Sequence, residues 1–293
     1  QYLRERLLRL TIPLLFGLVV IVPPQAYLAY LDRGNSVSYP EFFVLYWAFE
    51  TGEVMGWDGG FTLGHLWFLV WLFAFSLVAL PLFVFLRGRS GDRLIGWVAR
   101  LSERPGVIFL FFLPFWLTDP LPGPIVGGLN PFSYIFLFIA GFVLFGDEKF
   151  QLVLDRSWRP ALSLGVCTLA VLVAIRFSGI ELPESSWQSS VRDGLLYFTI
   201  WALVIGLLGF GHCFLNRPGR VLSYLGAASY PYYVLHQTVI VFFGFYVVHW
   251  SIGILPKFLI IGIAALAVTL GLYELARRVS VTRFLMGIKT VTI

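Results

Sequence analysis

The 293-residue chain is 58% hydrophobic and 18% aromatic, carries only 13% charged side chains and has a mean hydropathy of +0.83. Soluble domains carry roughly 25% charged residues, so this composition excludes a water-soluble globule and a disordered chain, and two Cys exclude a disulfide scaffold. The net charge of +5 comes from Lys and Arg clustered between apolar runs, a membrane-topology pattern rather than a nucleic-acid-binding face.

Long continuous apolar runs, in place of alternating segments, exclude a membrane β-barrel and predict an all-α polytopic bundle. The runs fall at about residues 10–30, 64–86, 105–118, 131–146, 160–178, 194–215, 228–249 and 256–276. At about 20 residues per crossing, they predict about eight spans. The third and fourth are short and flank the Asp119-Pro120-Leu121-Pro122-Gly123-Pro124 turn. They read either as a hairpin that enters the membrane without crossing or as two tilted spans.

Loop by loop, Arg4, Arg6 and Arg9, then Arg87 to Arg104, Lys149 to Arg159, Arg217 and Arg220, and Arg277 to Lys289 fall on one side. Only Arg33, Arg176, Arg192 and Lys257 of the 21 Lys and Arg are left for the other. The positive-inside rule then places the N- and C-termini in the cytoplasm. The longest connection is an outer loop at 32–62, acidic through Asp32, Glu41, Glu50, Glu53 and Asp58, with an apolar middle from Phe42 to Phe49 that lies in the interface or folds back into the bundle. No soluble domain is visible, so residues 1–293 read as one membrane-embedded domain. Cys167 and Cys213 read as buried small hydrophobes. The chain opens with Gln1 and an Arg cluster and shows no leader, which suggests that it is N-terminally incomplete.

Three segments carry candidate chemistry. Arg6 and Arg9, three apart at the inner mouth of the first span, share a helix face and either grip a phosphate-rich ligand or anchor the span beside lipid headgroups. His65, in Gly64-His65-Leu66-Trp67-Phe68-Leu69 at the outer start of the second span, is either a general base beside a sugar hydroxyl or an interfacial histidine. Trp67 next to it offers a flat ring face or joins an aromatic belt. In Ser229-Tyr230-Pro231-Tyr232-Tyr233-Val234-Leu235-His236-Gln237, His236 lies at membrane depth with Ser229, Tyr232 and Tyr233 at spacings of seven, four and three on its face. Such a polar stripe faces a bundle interior or locks two helices together. There is no Walker loop, dinucleotide turn, zinc-spaced Cys/His set or nucleophile elbow, so neither a metal nor a bound cofactor is expected.

Taken together, these segments resemble the acyltransferase 3 family of integral-membrane acyltransferases. Arg6-Leu7-Leu8-Arg9 with Pro13 is similar to its R-x-x-R segment, Gly64-His65-Leu66-Trp67-Phe68-Leu69 to its H-x-W-F segment in the branch of periplasmic glucan succinyltransferases, and the Ser229–His236 stretch to its S-Y-P-x-Y-x-x-H helix. The resemblance implies ten spans in a typical member, with R-x-x-R after the second, and so a chain that lacks the first two helices. The family's best-supported catalytic histidine lies in the first of those, and no residue here matches it.

The resemblance further implies transfer of an acyl group, acetyl or succinyl in type, from cytoplasmic acyl-CoA to a hydroxyl of a cell-surface or periplasmic glycan or lipid-linked saccharide, in a bacterial inner membrane. Arg6 and Arg9 are then expected to bind the CoA phosphates. His236 with Ser229, Tyr232 and Tyr233 is expected to form an internal path, and His65 with Trp67 the acceptor end. Both histidines are candidate catalytic groups, acyl-CoA is a co-substrate, and nucleic acid is not a partner. The main alternative is a glycolipid or polysaccharide flippase that performs no chemistry. A glycan polymerase is disfavoured by the acidic outer loop.

Overall fold

The computed structural model describes residues 2–48, 60–125, 128–180, 183, 186–217 and 219–288, with side chains from Leu8 onward. Glu50, Glu53 and Asp58 of the outer loop, Lys289, and the side chains of Arg4 and Arg6 lie outside the described residues. In chain order the helices are α1 (Tyr2–Phe16), α2 (Val22–Asp32), α3 (Tyr39–Tyr46), α4 (Trp67–Val78), α5 (Leu80–Leu86), α6 (Arg89–Ser102) and α7 (Val107–Leu110). They continue as α8 (Phe112–Trp116), α9 (Pro131–Leu144), α10 (Glu148–Phe177), α11 (Trp187–Phe210), α12 (Arg220–Val247), α13 (Ile254–Ala276) and α14 (Ser280–Leu285). No strand occurs among the described residues.

Four stretches, Leu8–Asp32, Glu148–Phe177, Trp187–Leu215 and Ile254–Ala276, are long and apolar enough to cross a membrane, and Gly64–Val78 with Leu80–Leu86, bent by 52°, passes together as a fifth. The third and fourth apolar runs form the shorter helices Val107–Trp116 and Pro131–Leu144. The seventh lies in α12, which is 28 residues long but less apolar because of its Tyr, His and Gln. Leu255, Phe258, Ile263 and Leu266 of α13 are exposed, an outward apolar face that suits lipid. The protein is an integral membrane protein.

The chain folds as two compact units, residues 1–74 with 219–293 and residues 75–218. In the first, α1 runs into α2 through a π-helical turn, Gly17–Ile21. Pro23 and Pro24 have no N–H to give to Val19 and Val20, and their rings press on those carbonyls. The backbone answers by widening, so that the Val22 N–H reaches the Gly17 oxygen. α3 is started by a capping box, Ser38 with Glu41, and folds back on α2. There Phe42 is fully buried among Tyr27, Tyr30 and Tyr46.

In the second unit α10 and α11 pack face to face. A Cβ at Gly165 would stand 2.7 Å from Leu203, one at Gly206 2.7 Å from Leu162, and one at Gly209 would overlap the Leu154 backbone oxygen. Small residues at these positions let the two helices approach closely. The hairpin of α7–α8 and α9 is tied by Asn130, whose Oδ1 caps α9 through the Ser133 N–H (2.9 Å) and whose Nδ2 donates to the Thr118 carbonyl (2.6 Å). The two cysteines depart from the expected burial. Cys167 is exposed and Cys213 is half-buried, with its Sγ 3.3 Å from Asp155.

Candidate functional site

The site is built in the first unit, from a tight turn and a long helix. Thr62 is fully buried, and its hydroxyl accepts the Gly64 N–H at 3.0 Å. Gly64 sits at φ 52°, in the left-handed region that glycine occupies without cost. The Leu66 N–H then closes on the Leu63 carbonyl at 3.0 Å, forming the 3₁₀ turn Gly64–Leu66 that presents His65. Two anchors hold the turn. Tyr46 of α3 donates its phenol to the Thr62 carbonyl at 3.0 Å, and burial pushes that phenol up to about 12, so it stays protonated. On the other side Leu66, fully buried, lies so closely against Gly17 of the π turn that a Cβ there would overlap Leu66 Cδ1.

α12 supplies the second half. Its Tyr233 donates the phenol to the His65 carbonyl, and its Val234 carbonyl accepts from His65 Nε2 at 3.0 Å. One residue is thus held at both its backbone and its ring, across 169 positions of sequence. A carbonyl can only accept, so His65 carries its proton on Nε2, and Nδ1 is the lone-pair nitrogen. That Nδ1 is buried and has no hydrogen-bond partner. The same reasoning applies to His236, whose Nδ1 donates to the Tyr233 carbonyl at 2.7 Å, leaving the lone pair on Nε2.

The two imidazoles meet edge to face, with ring centroids 5.4 Å apart. Tyr232 stacks on His236 at 5.8 Å, and Tyr233 contacts both histidines, at 5.6 Å and 5.9 Å. The arrangement therefore holds each imidazole by an N–H donated to a carbonyl and turns the other ring nitrogen away from that tether. A lone-pair nitrogen held in this way is placed to take a proton from a hydroxyl. Among the described residues no three His, Cys, Asp or Glu side chains gather in a way that could hold a metal ion.

The structure brings four of the candidate residues together: His65, Tyr232, Tyr233 and His236. Trp67 follows His65 into α4, half-buried, with its ring edge on Phe68, which in turn meets Tyr233 at 6.2 Å. Ser229 is exposed and gives its hydroxyl to the Gly226 carbonyl at 2.9 Å, within its own helix. Arg9 has an exposed side chain, and its carbonyl accepts the Tyr230 phenol at 3.0 Å. At 1.5 Å per residue, Tyr230 and His236 are separated by about 9 Å along α12. Arg6 lies three residues before Arg9 on α1.

Gln25 was not among the sequence candidates. It is completely buried in α2, and its Nε2 donates to Thr238 Oγ1 (2.6 Å) and to the Ile21 carbonyl (3.2 Å). The available signal was an amide placed directly after Pro23-Pro24 in the middle of an apolar run, where a polar group is costly and rarely idle. His212, assigned no role from sequence, pairs with Asp155 at 2.6 Å in the second unit.

The chain matches the acyltransferase domain family over residues 1–274. It is similar to the glucans biosynthesis protein C of Salmonella paratyphi B, Salmonella agona and Salmonella enteritidis, at 22% identity over 305 residues covering 98% of this chain and 75% of each relative. No solved structure matches it significantly. A family match over nearly the whole length, with all three motif segments inside it, shows that the chain belongs to the acyltransferase 3 family of integral-membrane acyltransferases.

Proposed function

We propose that the protein transfers an acyl group of acetyl or succinyl type from cytoplasmic acyl-CoA to a hydroxyl of a glycan or lipid-linked saccharide at the outer face of a bacterial inner membrane. In this reading the chain makes eight crossings with both termini in the cytoplasm. The similarity to proteins named for glucan biosynthesis supports a saccharide acceptor. The observation that carries the reading is the pair of tethered histidines, each holding one N–H on a carbonyl and offering the other nitrogen as a base.

The chemistry follows from that pair. His65 Nδ1 takes the proton of the acceptor hydroxyl as the hydroxyl oxygen attacks the thioester carbonyl. A C–O bond forms, the C–S bond breaks, and the departing thiolate takes up a proton, so the histidine returns to its neutral form. His236, whose ring lies against His65, passes protons along α12. Tyr233 positions both rings, since its phenol holds the turn of one and its carbonyl holds the N–H of the other. Arg6 and Arg9 bind the CoA phosphates, for which paired guanidinium groups on one helix face are suited.

The test is binding of acetyl-CoA and succinyl-CoA to the purified protein in nanodiscs, comparing wild type with the Arg6→Ala/Arg9→Ala double variant. Loss of two charge-assisted contacts should weaken binding by about tenfold or more. Equal binding in the two forms removes the arginines from the donor site. No binding in either form favours a flippase over a CoA-dependent enzyme.

A further inference from the structure

Three buried side-chain polar atoms lack a hydrogen-bond partner among the described residues: Gln25 Oε1, His65 Nδ1 and Thr269 Oγ1. The first two are acceptors only, and both residues are held by the same helix, α12. Val234, whose carbonyl holds His65, and Thr238, whose hydroxyl accepts from Gln25, are four residues apart on α12 and therefore neighbours on one helix face. Around them Val22 and Ala26 of α2, both fully buried, pack in one cluster with Leu66, the chain neighbour of His65, and with Tyr233, which touches both histidines. α2 also touches the Gly64–Leu66 turn directly.

The orientation of the Gln25 amide is fixed by its partners. Thr238 gives its own proton to the Ile21 carbonyl at 2.9 Å, so its oxygen can only accept from Gln25. Ile21's carbonyl likewise can only accept. Both bonds require the NH₂ end of the amide there, which turns Oε1 the other way, as a held acceptor with nothing to receive. Buried polar atoms are almost always paired, and an unpaired one calls for an explanation such as a missing ligand.

We infer that Gln25 is a second acceptor-binding residue, whose Oε1 receives one hydroxyl of the saccharide while His65 Nδ1 receives its neighbour on the same sugar ring. The inference rests on the acyltransferase reading of this site and sharpens it, because it makes recognition of the acceptor a matter of two hydroxyls. Both unpaired atoms are lone-pair acceptors, so the complementary ligand presents hydrogen-bond donors. A polyhydroxyl saccharide does so, whereas phosphates and a thioester carbonyl do not.

The experiment measures transfer from acetyl-CoA and from succinyl-CoA to a linear glucose oligosaccharide by the nanodisc-embedded protein, for wild type, Gln25→Leu and Gln25→Glu. Leu keeps the volume and removes the acceptor, whereas Glu, as the neutral carboxylic acid, keeps one donor for Thr238 and one acceptor oxygen. The expected result is a KM for the oligosaccharide raised about tenfold or more in Gln25→Leu and partly recovered in Gln25→Glu. The KM for acyl-CoA should not change. A set of monodeoxy oligosaccharides supplies the second readout. One of them should lose affinity against wild type and lose no more against Gln25→Leu, the coupling expected of a direct bond. Active wild-type protein with an unchanged oligosaccharide KM in Gln25→Leu overturns the inference alone, as does an effect confined to melting temperature, which would mark a buried water. A wild type inert toward both donors overturns the functional reading beneath it as well.

Discussion

The two units of this protein treat buried polarity in opposite ways. In residues 75–218 the polar groups satisfy one another. Tyr197 bridges Ser133 (3.1 Å) and Asp119 (2.7 Å), Thr118 bonds Ser133 at 2.7 Å, Thr199 bonds Thr168 at 2.7 Å, and the Trp201 indole N–H reaches the Ile108 carbonyl at 2.8 Å. No unpaired buried side-chain atom falls in that unit among the described residues, whereas all three fall in the other. An unpaired buried polar group costs about 1–3 kcal/mol, so the first unit carries a burden that the second avoids. The contrast separates a scaffold, where polarity specifies packing, from a site, where polarity is held open for something else.

The comparison breaks most visibly at His65. Replacing it by Ala should reduce acyl transfer by about 10²–10⁴-fold, the usual worth of a general base, with only a modest fall in thermal stability from the emptied ring volume. The ring's bond to the Val234 carbonyl is lost, and one unpaired buried nitrogen disappears with it. Transfer assays together with melting in the same nanodiscs check both halves. A large loss of stability with activity per folded molecule retained would make His65 a packing residue and erase the distinction between the units.

Asn130 is the converse case in the second unit. Asn130→Ala removes the α9 cap and the amide bonds to the Thr118 and Asp119 carbonyls. Loss of such a cap costs about 1–2 kcal/mol, and the amide bonds add to that. A lower melting temperature is expected, with the KM values for both substrates unchanged. A selective change in the oligosaccharide KM would extend the site into residues 75–218.

How much of this was readable beforehand follows from the range of each interaction. The apolar runs and the three motif segments are local in sequence, and each was legible from it. Even the two short runs were marked by the proline-rich turn between them, although the Asn130 network that ties them was not. The meeting of His65 with His236 depends on a backbone carbonyl and a phenol, which sequence patterns do not reveal, so the sequence assigns His236 to an internal path and His65 to its acceptor end without showing that their rings touch. Helical spacing set Ser229 on the face of His236, but that reasoning does not show where a helix is covered by neighbours, and Ser229 is exposed. Gln25 carries no titratable group and belongs to no sequence motif, and its interest comes only from the partner that its oxygen lacks.

The smallest expected effect lies at the edge of the site, in the cap of α3. The Glu41 carboxylate accepts both the hydroxyl (2.7 Å) and the N–H (2.9 Å) of Ser38, bonds that favour the charged form and hold its pKa below the ordinary carboxylate value. A carboxyl lowered on folding stabilises the helix at pH above its unfolded value, and that contribution is lost as pH falls through the folded one. Acidification should therefore loosen α3 first, and with it the Tyr46 phenol that holds the Thr62 carbonyl behind His65. Hydrogen exchange of the α3 amides, followed from neutral pH down through the carboxylate range, should show protection falling in wild type. Glu41→Gln should start with less protection and a flatter profile. Because Glu41 is fully exposed the effect is small, and it should be confined to residues 39–46. Equal loss of protection in α10 and α11 would point to a general acid response with no connection to the cap.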